Sequence, residues 1–326
     1  MISAAIAAHL QALVAARYAA VTIATRRARL RLFSKWGEAR GLIALDDVTP
    51  CDLDAYRAWL SDRRRLTDGR PLSWSTHANR LTGVRMLLAW ATRAKWLAVN
   101  PAAELSMPRA PKRLPRAVLS VSETERVLRE PDIETKLGLR DRAILEVLYS
   151  TGIRRMELVG LDLPDLDCER QVLFVREGKG RKDRVVPIGV RAIRWIERYL
   201  DYVRPQLVAR CNSGESDALF LSARGTRIRP TRLTERLHRY IQAAGVRKPG
   251  SVHIFRHTMA TLMHDAGADI RDLQEILGHA QLSTTAIYTR ISIDRLKAVH
   301  ARTHPANLPG DGAARTWLGT GFKVKD

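Results

Sequence analysis

The sequence predicts a mainly α protein in two parts: an N-terminal helical bundle, then a mostly helical α+β domain around a small antiparallel sheet. Three observations carry that expectation. Apolar residues recur at three-and-four spacing along most of the chain, the pattern of helices with one buried face. A basic, proline-rich stretch at 106–117 interrupts the pattern and separates a first part, 1–105, from a second, 118–304, followed by a tail at 305–326. Strand character is confined to residues 171–188 and a short run from Ala218 to Ser222. A chain of 326 residues is long enough for two such cores.

The first part opens with two helices between Ser3 and Arg40. Leu10, Leu13 and Val14, then Ile23, Leu30, Phe33 and Trp36, fall at helical intervals, and Gly41 suits a C-terminal stop. Thr49-Pro50 followed by Asp52 supplies an N-cap, a proline at the first helical position and an acidic first turn. After the basic loop SDRRRLTDGRP, Ser73 or Ser75 caps a longer helix carrying Leu81, Val84, Leu87, Leu88 and Ala91 and ending near Trp96. Five of the seven tryptophans lie in this part, at spacings that suit core anchors better than base-stacking platforms. Pro101, Pro108, Pro111 and Pro115 then stand among Arg109, Lys112, Arg113 and Arg116. That composition gives an extended strap, either a cationic track along phosphates or a stiff spacer.

In the second part, Leu119-Ser120 begins a helix, with Ser122 and Glu125 at capping-box spacing, and another helix runs from about Gly138 to Tyr149. STGIRRMELVGL reads as a turn and a helix start. QVLFVREGKGRKDRVVPI reads as two β-branched runs joined by a basic glycine-rich turn, a hairpin to which Ala218–Ser222 would add a third strand. Further helices fall near 189–203, 230–243, within Ser251–Arg290 and at 293–302.

The formal charge of +21 and a pI near 10.8 point to a polyanion as partner, above all nucleic acid; a solvated basic surface or a membrane-surface protein is the alternative. Cys51, Cys168 and Cys211 are odd in number and form no CxxC pair, which argues against a disulfide framework and for a reducing, cytoplasmic setting. The apolar start, MISAAIAAHLQALVAARYAA, lacks a basic leader and is broken by His9, Gln11 and Arg17. It therefore reads as an amphipathic helix and not as a signal or membrane span.

The chemistry gathers in Ser251–Arg290. His253 and Arg256 stand one turn apart on a helix and can converge on a phosphate, where a guanidinium offers two parallel hydrogen bonds. Asp269 caps the next helix, Gly278 ends it, His279 follows in the turn, and Ser283 caps a helix bearing Tyr288. His253 and His257, at i and i+4, also match zinc-ligand spacing, but no HExxH glutamate or third ligand accompanies them; His257 is assigned to packing or support of the site.

Taken in order, these residues closely resemble the tyrosine recombinase, or phage integrase, family, and its Xer-type bacterial members above all. The resemblance covers about 117–304, with a looser match in the N-terminal part, where it implies a SAM-like core-binding domain. STGIRRMELVGL resembles the first arginine box, which gives Arg154 and the acidic Glu157. REGKGRKDRVVPIG resembles the hairpin with Lys179; HIFRH supplies His253 and Arg256, ILGH supplies His279, and STTAIYTR supplies the nucleophile, Tyr288.

The reaction this implies is attack of a tyrosine oxygen on a DNA phosphodiester, giving a 3′-phosphotyrosine and a free 5′-hydroxyl, with neither metal nor nucleotide cofactor. A phenol of pKa about 10 needs help with its proton, here from His253. Arg154, Arg256 and His279 would stabilise the phosphorane, Lys179 would protonate the leaving oxygen, and Glu157 would orient a cation. Arg181, Lys182 and Arg184 are assigned to phosphate contacts. The resemblance further implies inverted-repeat DNA sites, a homo-tetramer on two duplexes, or a tetramer shared with a second recombinase, acting through a Holliday junction, and a cytoplasmic, nucleoid-associated protein. SIDRLKAVHARTHP resembles the C-terminal helix lent to a neighbouring protomer; packing on its own domain is the equal alternative. A type IB topoisomerase and a non-catalytic DNA-binding accessory protein remain the rival readings.

Overall fold

The computed structural model describes residues 1–64, 69–108, 118–176, 183–211, 217–248, 250–278 and 293–307. The chain divides into two compact units, Met1–Leu114 and Pro115–Asp326. Among the described residues no helix is long and apolar enough to cross a membrane.

The first unit is a bundle of α1 (Ile2–Ala15), α2 (Ala20–Glu38), α3 (Pro50–Asp62) and α4 (Trp74–Arg93). The apolar N-terminus is the expected amphipathic helix: Ile2, Ala5, Ile6, His9, Leu10 and Leu13 are buried at three-and-four spacing. α1 and α2 separate at Arg17, whose φ of 55° breaks the helical path. Thr49 and Asp52 close a reciprocal capping box on α3, with Pro50 at its first position. Ser73, not Ser75, caps α4 through Thr76 N–H. α4 stops at Arg93, short of the expected Trp96, because Lys95 turns left-handed (φ 59°). The core holds Leu30, Phe33, Tyr56, Leu60, Leu81, Val84, Leu87 and Leu88, with Phe33 edge-on to Tyr56 at 5.1 Å. Trp36 is buried in this core, and Trp59 and Trp90 pack against the core, as core anchors should. Trp96 departs from that expectation: it lies beyond the helix end and is 45% exposed.

The second unit begins with α5 (Val121–Arg129), α6 (Lys136–Thr151) and α7 (Arg155–Gly160). The capping box on α5 is Ser120 with Glu123, not Ser122 with Glu125. Ser122 is already inside the helix and its hydroxyl instead meets that of Ser120 at 2.9 Å. Strands β1 (Leu166–Asp167), β2 (Val172–Val175) and β3 (Arg184–Pro187) form an antiparallel sheet in the order β1-β2-β3. β2 and β3 are the two arms of the expected hairpin, in register Leu173↔Val186 and Val175↔Arg184. The third strand is β1, not Ala218–Ser222. That run makes isolated bridges alone, and Ala218, Leu219, Phe220 and Leu221 are all but fully buried, so its apolar character reflects core position rather than strand pairing. The remaining elements are α8 (Val190–Tyr202), α9 (Arg204–Val208), α10 (Pro230–Ala243), α11 (Val252–Asp265), α12 (Ile270–Leu277) and α13 (Ile293–Thr303).

α6 is the axis of this unit, buried at every position from Gly138 to Thr151, and it takes charged residues into the core by pairing them. Asp141 accepts from Arg140 (2.6 Å), from Arg236 of α10 (2.8 Å) and from the Tyr240 hydroxyl (2.8 Å). Glu146 accepts from Arg142 (2.7 Å) and from Arg191 of α8 (2.9 Å), and Arg191 also reaches Glu125 of α5 (2.8 Å). The two carboxylates thus fix α6 against three neighbouring helices.

α13 packs on its own domain. Leu296 and Val299 join the core, and two buried histidines satisfy carbonyls of the last turn of α6 that lack partners within the helix. His300 Nε2 donates to Ser150 O (2.6 Å) and His304 Nε2 to Tyr149 O (2.8 Å), the rings stacked at 4.7 Å. Burial lowers the pKa of both below the usual 6.5, and the charge of His300 adds to the effect on His304. The unfolded chain therefore binds protons first as pH falls, so this anchoring is fully present above about 6.5 and is lost progressively below it. We expect the urea midpoint to fall on going from about pH 7 to about pH 5, and to fall less in His304→Gln, which keeps an N–H donor but does not titrate. Equal slopes in the two proteins would contradict this anchoring.

Candidate active site

Two helices of the second unit end alike. α6 closes on Gly152 (φ 60°) and α12 on Gly278 (φ 62°), both left-handed, a conformation that costs glycine least. Space is also limiting at both. A Cβ on Gly152 would stand 2.3 Å from Met259 Cε, and one on Gly278 would stand 2.9 Å from Arg184 Cδ.

A helix leaves its last carbonyls without intrahelical donors, at the negative end of its dipole. At the end of α12 three arginines from three different elements fill that need. Arg184, the first residue of β3, donates Nε to Ile276 O (3.3 Å). Arg256, in α11, donates to Leu277 O (2.7 Å). Arg154, just before α7, donates to Gly278 O (2.9 Å). Arg256 also donates to Gly152 O (2.8 Å), and so joins the two helix ends.

Glu157, in the first turn of α7, holds the arginines together. One carboxylate oxygen accepts from the Arg154 side chain (2.7 Å) and the other from the Arg154 backbone N–H (2.8 Å), while Arg184 engages both oxygens at 3.0 and 2.7 Å. Burial by itself would raise the Glu157 pKa. The hydrogen bonds from Arg184 and Arg154 outweigh it and hold the group at about 2. Arg256 is lowered to about 10, first by burial and then by the neighbouring Arg154, and stays charged at neutral pH. Three guanidinium groups around one carboxylate leave a net positive pocket.

Of the residues singled out in the sequence, Arg154, Glu157, Arg184 and Arg256 are brought together here, although they span about a hundred positions. Arg256 is buried and Arg154 about one-fifth exposed in its side chain. His253, in the first turn of α11, is exposed and His257 half-buried. Arg184, expected to be a phosphate contact, is held inside this cluster. Its side chain is 11% exposed and its fork is engaged by Glu157. A sequence signal for this was available: in a strand, Arg184 shares a face with Val186, which is fully buried. Lys179, Arg181, Lys182, His279 and Tyr288 lie outside the described residues, as do Arg109, Lys112 and Arg113. In the chain, His279 follows directly on Gly278, whose carbonyl Arg154 holds.

A chain-wide comparison places these features among known proteins. The model of the phage integrase family matches residues 117–295. The tyrosine recombinase XerC 2 of Ralstonia nicotianae is 48% identical over 301 residues, covering 92% of this chain and 85% of that protein. The tyrosine recombinase XerD of Proteus mirabilis is 39% identical and covers 87% of each chain. Among solved structures, the XerH site-specific recombinase bound to a difH substrate in a pre-cleavage complex matches with a TM-score of 0.61 at 24% identity, over 85% of this chain and 78% of that one, a likeness of fold.

Replacing Glu157 by Gln keeps its shape but leaves the arginines without their anion, and breaking a buried pair of this kind costs about 3 kcal/mol. The carboxylate contributes stability above its ordinary pKa of 4.5 and loses it as pH falls toward 2. We therefore expect Glu157→Gln to be less stable to urea at neutral pH, with the gap to the wild type narrowing as pH drops through that window. A gap independent of pH would show that the charge is not what matters.

Proposed function

The chain belongs to the phage integrase family, and from that premise we propose that it is a tyrosine-type site-specific recombinase that cuts and rejoins DNA through a 3′-phosphotyrosine and a Holliday junction. The observation that carries the reading is the meeting of Arg154 and Arg256 at the end of α12, immediately before His279 and ten residues before Tyr288 in the chain. A guanidinium has five N–H donors, and the bonds described here occupy two on each arginine. Donors therefore remain, in a pocket of net positive charge, for the two non-bridging oxygens of a phosphodiester.

The roles follow from that placement. Arg154 and Arg256 hold the non-bridging oxygens and stabilise charge that grows as the phosphorane forms, with a hydrogen bond from His279. The Tyr288 oxygen attacks phosphorus as its proton passes to His253, which lies exposed in the first turn of α11. The P–O5′ bond breaks and Lys179 gives the departing oxygen its proton. Attack by a 5′-hydroxyl of another strand on the phosphotyrosine reverses each step, so the bond energy is kept and no nucleotide cofactor is consumed.

Relatives named tyrosine recombinase favour strand exchange over relaxation by a type IB topoisomerase, and over a non-catalytic accessory role. We assign the target to a double-stranded site with inverted repeats, bound by four copies across two duplexes, in the cytoplasm at the nucleoid. The charge of +21 supports a polyanionic partner, and Arg109, Lys112, Arg113, Arg181 and Lys182 are assigned to phosphates.

A nicked suicide duplex carrying the cognate site should trap the wild type as a covalent adduct on a denaturing gel. Tyr288→Phe should bind the same DNA and give no adduct, and adduct from that variant would identify a different nucleophile. Arg154→Ala should cleave on the order of 10²–10³-fold more slowly, the usual loss when an oxyanion donor is removed.

A further inference from the structure

We infer that Arg184 is a positioning residue that ties the lysine-bearing hairpin to the phosphate pocket, and so sets how well Lys179 protonates the leaving oxygen. The inference rests on the reading of Lys179 as the general acid. Lys179 lies in the eight residues, 176–183, that join β2 to β3, and the pair Val175↔Arg184 closes the ladder on which that connection stands. What holds this closing pair therefore holds the base from which that connection starts.

Arg184 is held from both sides. Its two terminal nitrogens grip the carboxylate that also orients Arg154, and its Nε caps a carbonyl of the helix end that receives Arg154 and Arg256. Gly278 gives it room, since a Cβ there would come within 2.9 Å of the Arg184 Cδ and Nε. One buried side chain thus connects the base of the hairpin, the carboxylate of the first arginine box and the turn that leads into His279. A fork with both ends engaged transmits position far better than a single-point ammonium would. A direct phosphate contact would instead draw on a guanidinium whose three nitrogens are already engaged by Glu157 and by Ile276 O.

The test compares two suicide duplexes that differ in one atom of the scissile phosphate: the ordinary bridging 5′-oxygen, or sulfur in its place. An alkoxide, whose conjugate acid has a pKa near that of water, about 16, needs a proton to leave. A thiolate, with a pKa of about 8.5, does not. Arg184→Gln should slow cleavage of the oxygen substrate on the order of 10²-fold, the lower range for loss of acid catalysis, and that of the sulfur substrate less than about tenfold. Arg184→Lys, which keeps the charge and serves if the glutamine variant does not fold, should show the same preference for sulfur. Lys179→Ala is the calibration. If it slows both substrates equally, the acid has been misassigned and the inference falls with it. If Lys179→Ala is selective but the Arg184 variants slow both substrates equally, or neither, Arg184 does not position the acid. A DNA affinity whose salt dependence drops by about one counterion in Arg184→Gln would make it a phosphate contact and would also overturn the inference.

Discussion

The site depends on a requirement of the backbone. The last carbonyls of α12 need donors, and the chain supplies three arginines instead of water or a continuing helix. Each guanidinium that caps the helix is fixed by doing so, and two of them are fixed again by Glu157. Positive charges that would repel one another are held close because a carboxylate lies among them and a helix dipole points its negative end at them. For the proposed phosphate-binding role, such a pocket is preorganised before any phosphate arrives, and little rearrangement is left for the moment of reaction.

The same logic recurs one layer deeper. The end of α6 carries Gly152 and leads directly to Arg154. Its carbonyls are satisfied by His304, His300 and Arg256 from α13 and α11. Upstream, Asp141 and Glu146 lock α6 to α10, α8 and α5 with buried charge pairs, which are costly to break singly and so fix register. Arg154 is thus placed by a helix whose own rotation and translation are set by ion pairs a few turns away. α13, which the sequence left free to pack at home or on a neighbour, is built into this arrangement through its histidines.

Much of this was legible in the sequence where the signal is local. Thr49-Pro50 and Asp52 give a cap, Gly278 gives a helix end, and the β-branched runs QVLFV and RVVPI with the basic glycine-rich turn between them give a hairpin, because caps, left-handed turns and strand composition depend on a few adjacent residues. The misreadings share a cause. Ala218–Ser222 looked like a strand because deep burial and strand pairing both select apolar runs. Ser122–Glu125 has the same spacing as the true cap, Ser120–Glu123, and only the chain path chooses between them. Trp96 looked like its core-bound neighbours, and a left-handed Lys95 carries it out of the helix.

By itself, the order of residue types carried the resemblance: arginine with glutamate, lysine in a predicted hairpin, His-x-x-Arg, Gly-His and tyrosine follow one another as in the phage integrase family, and the proposed chemistry rests on that order. Tertiary structure alone decided how the arginines and the glutamate are held. That Arg184 grips Glu157, and that Arg154, Arg184 and Arg256 share one helix end, follows from contacts between residues up to 124 positions apart. No local pattern encodes such contacts, because the donor is specified by its own strand or helix and the acceptor is a backbone carbonyl, which every residue has.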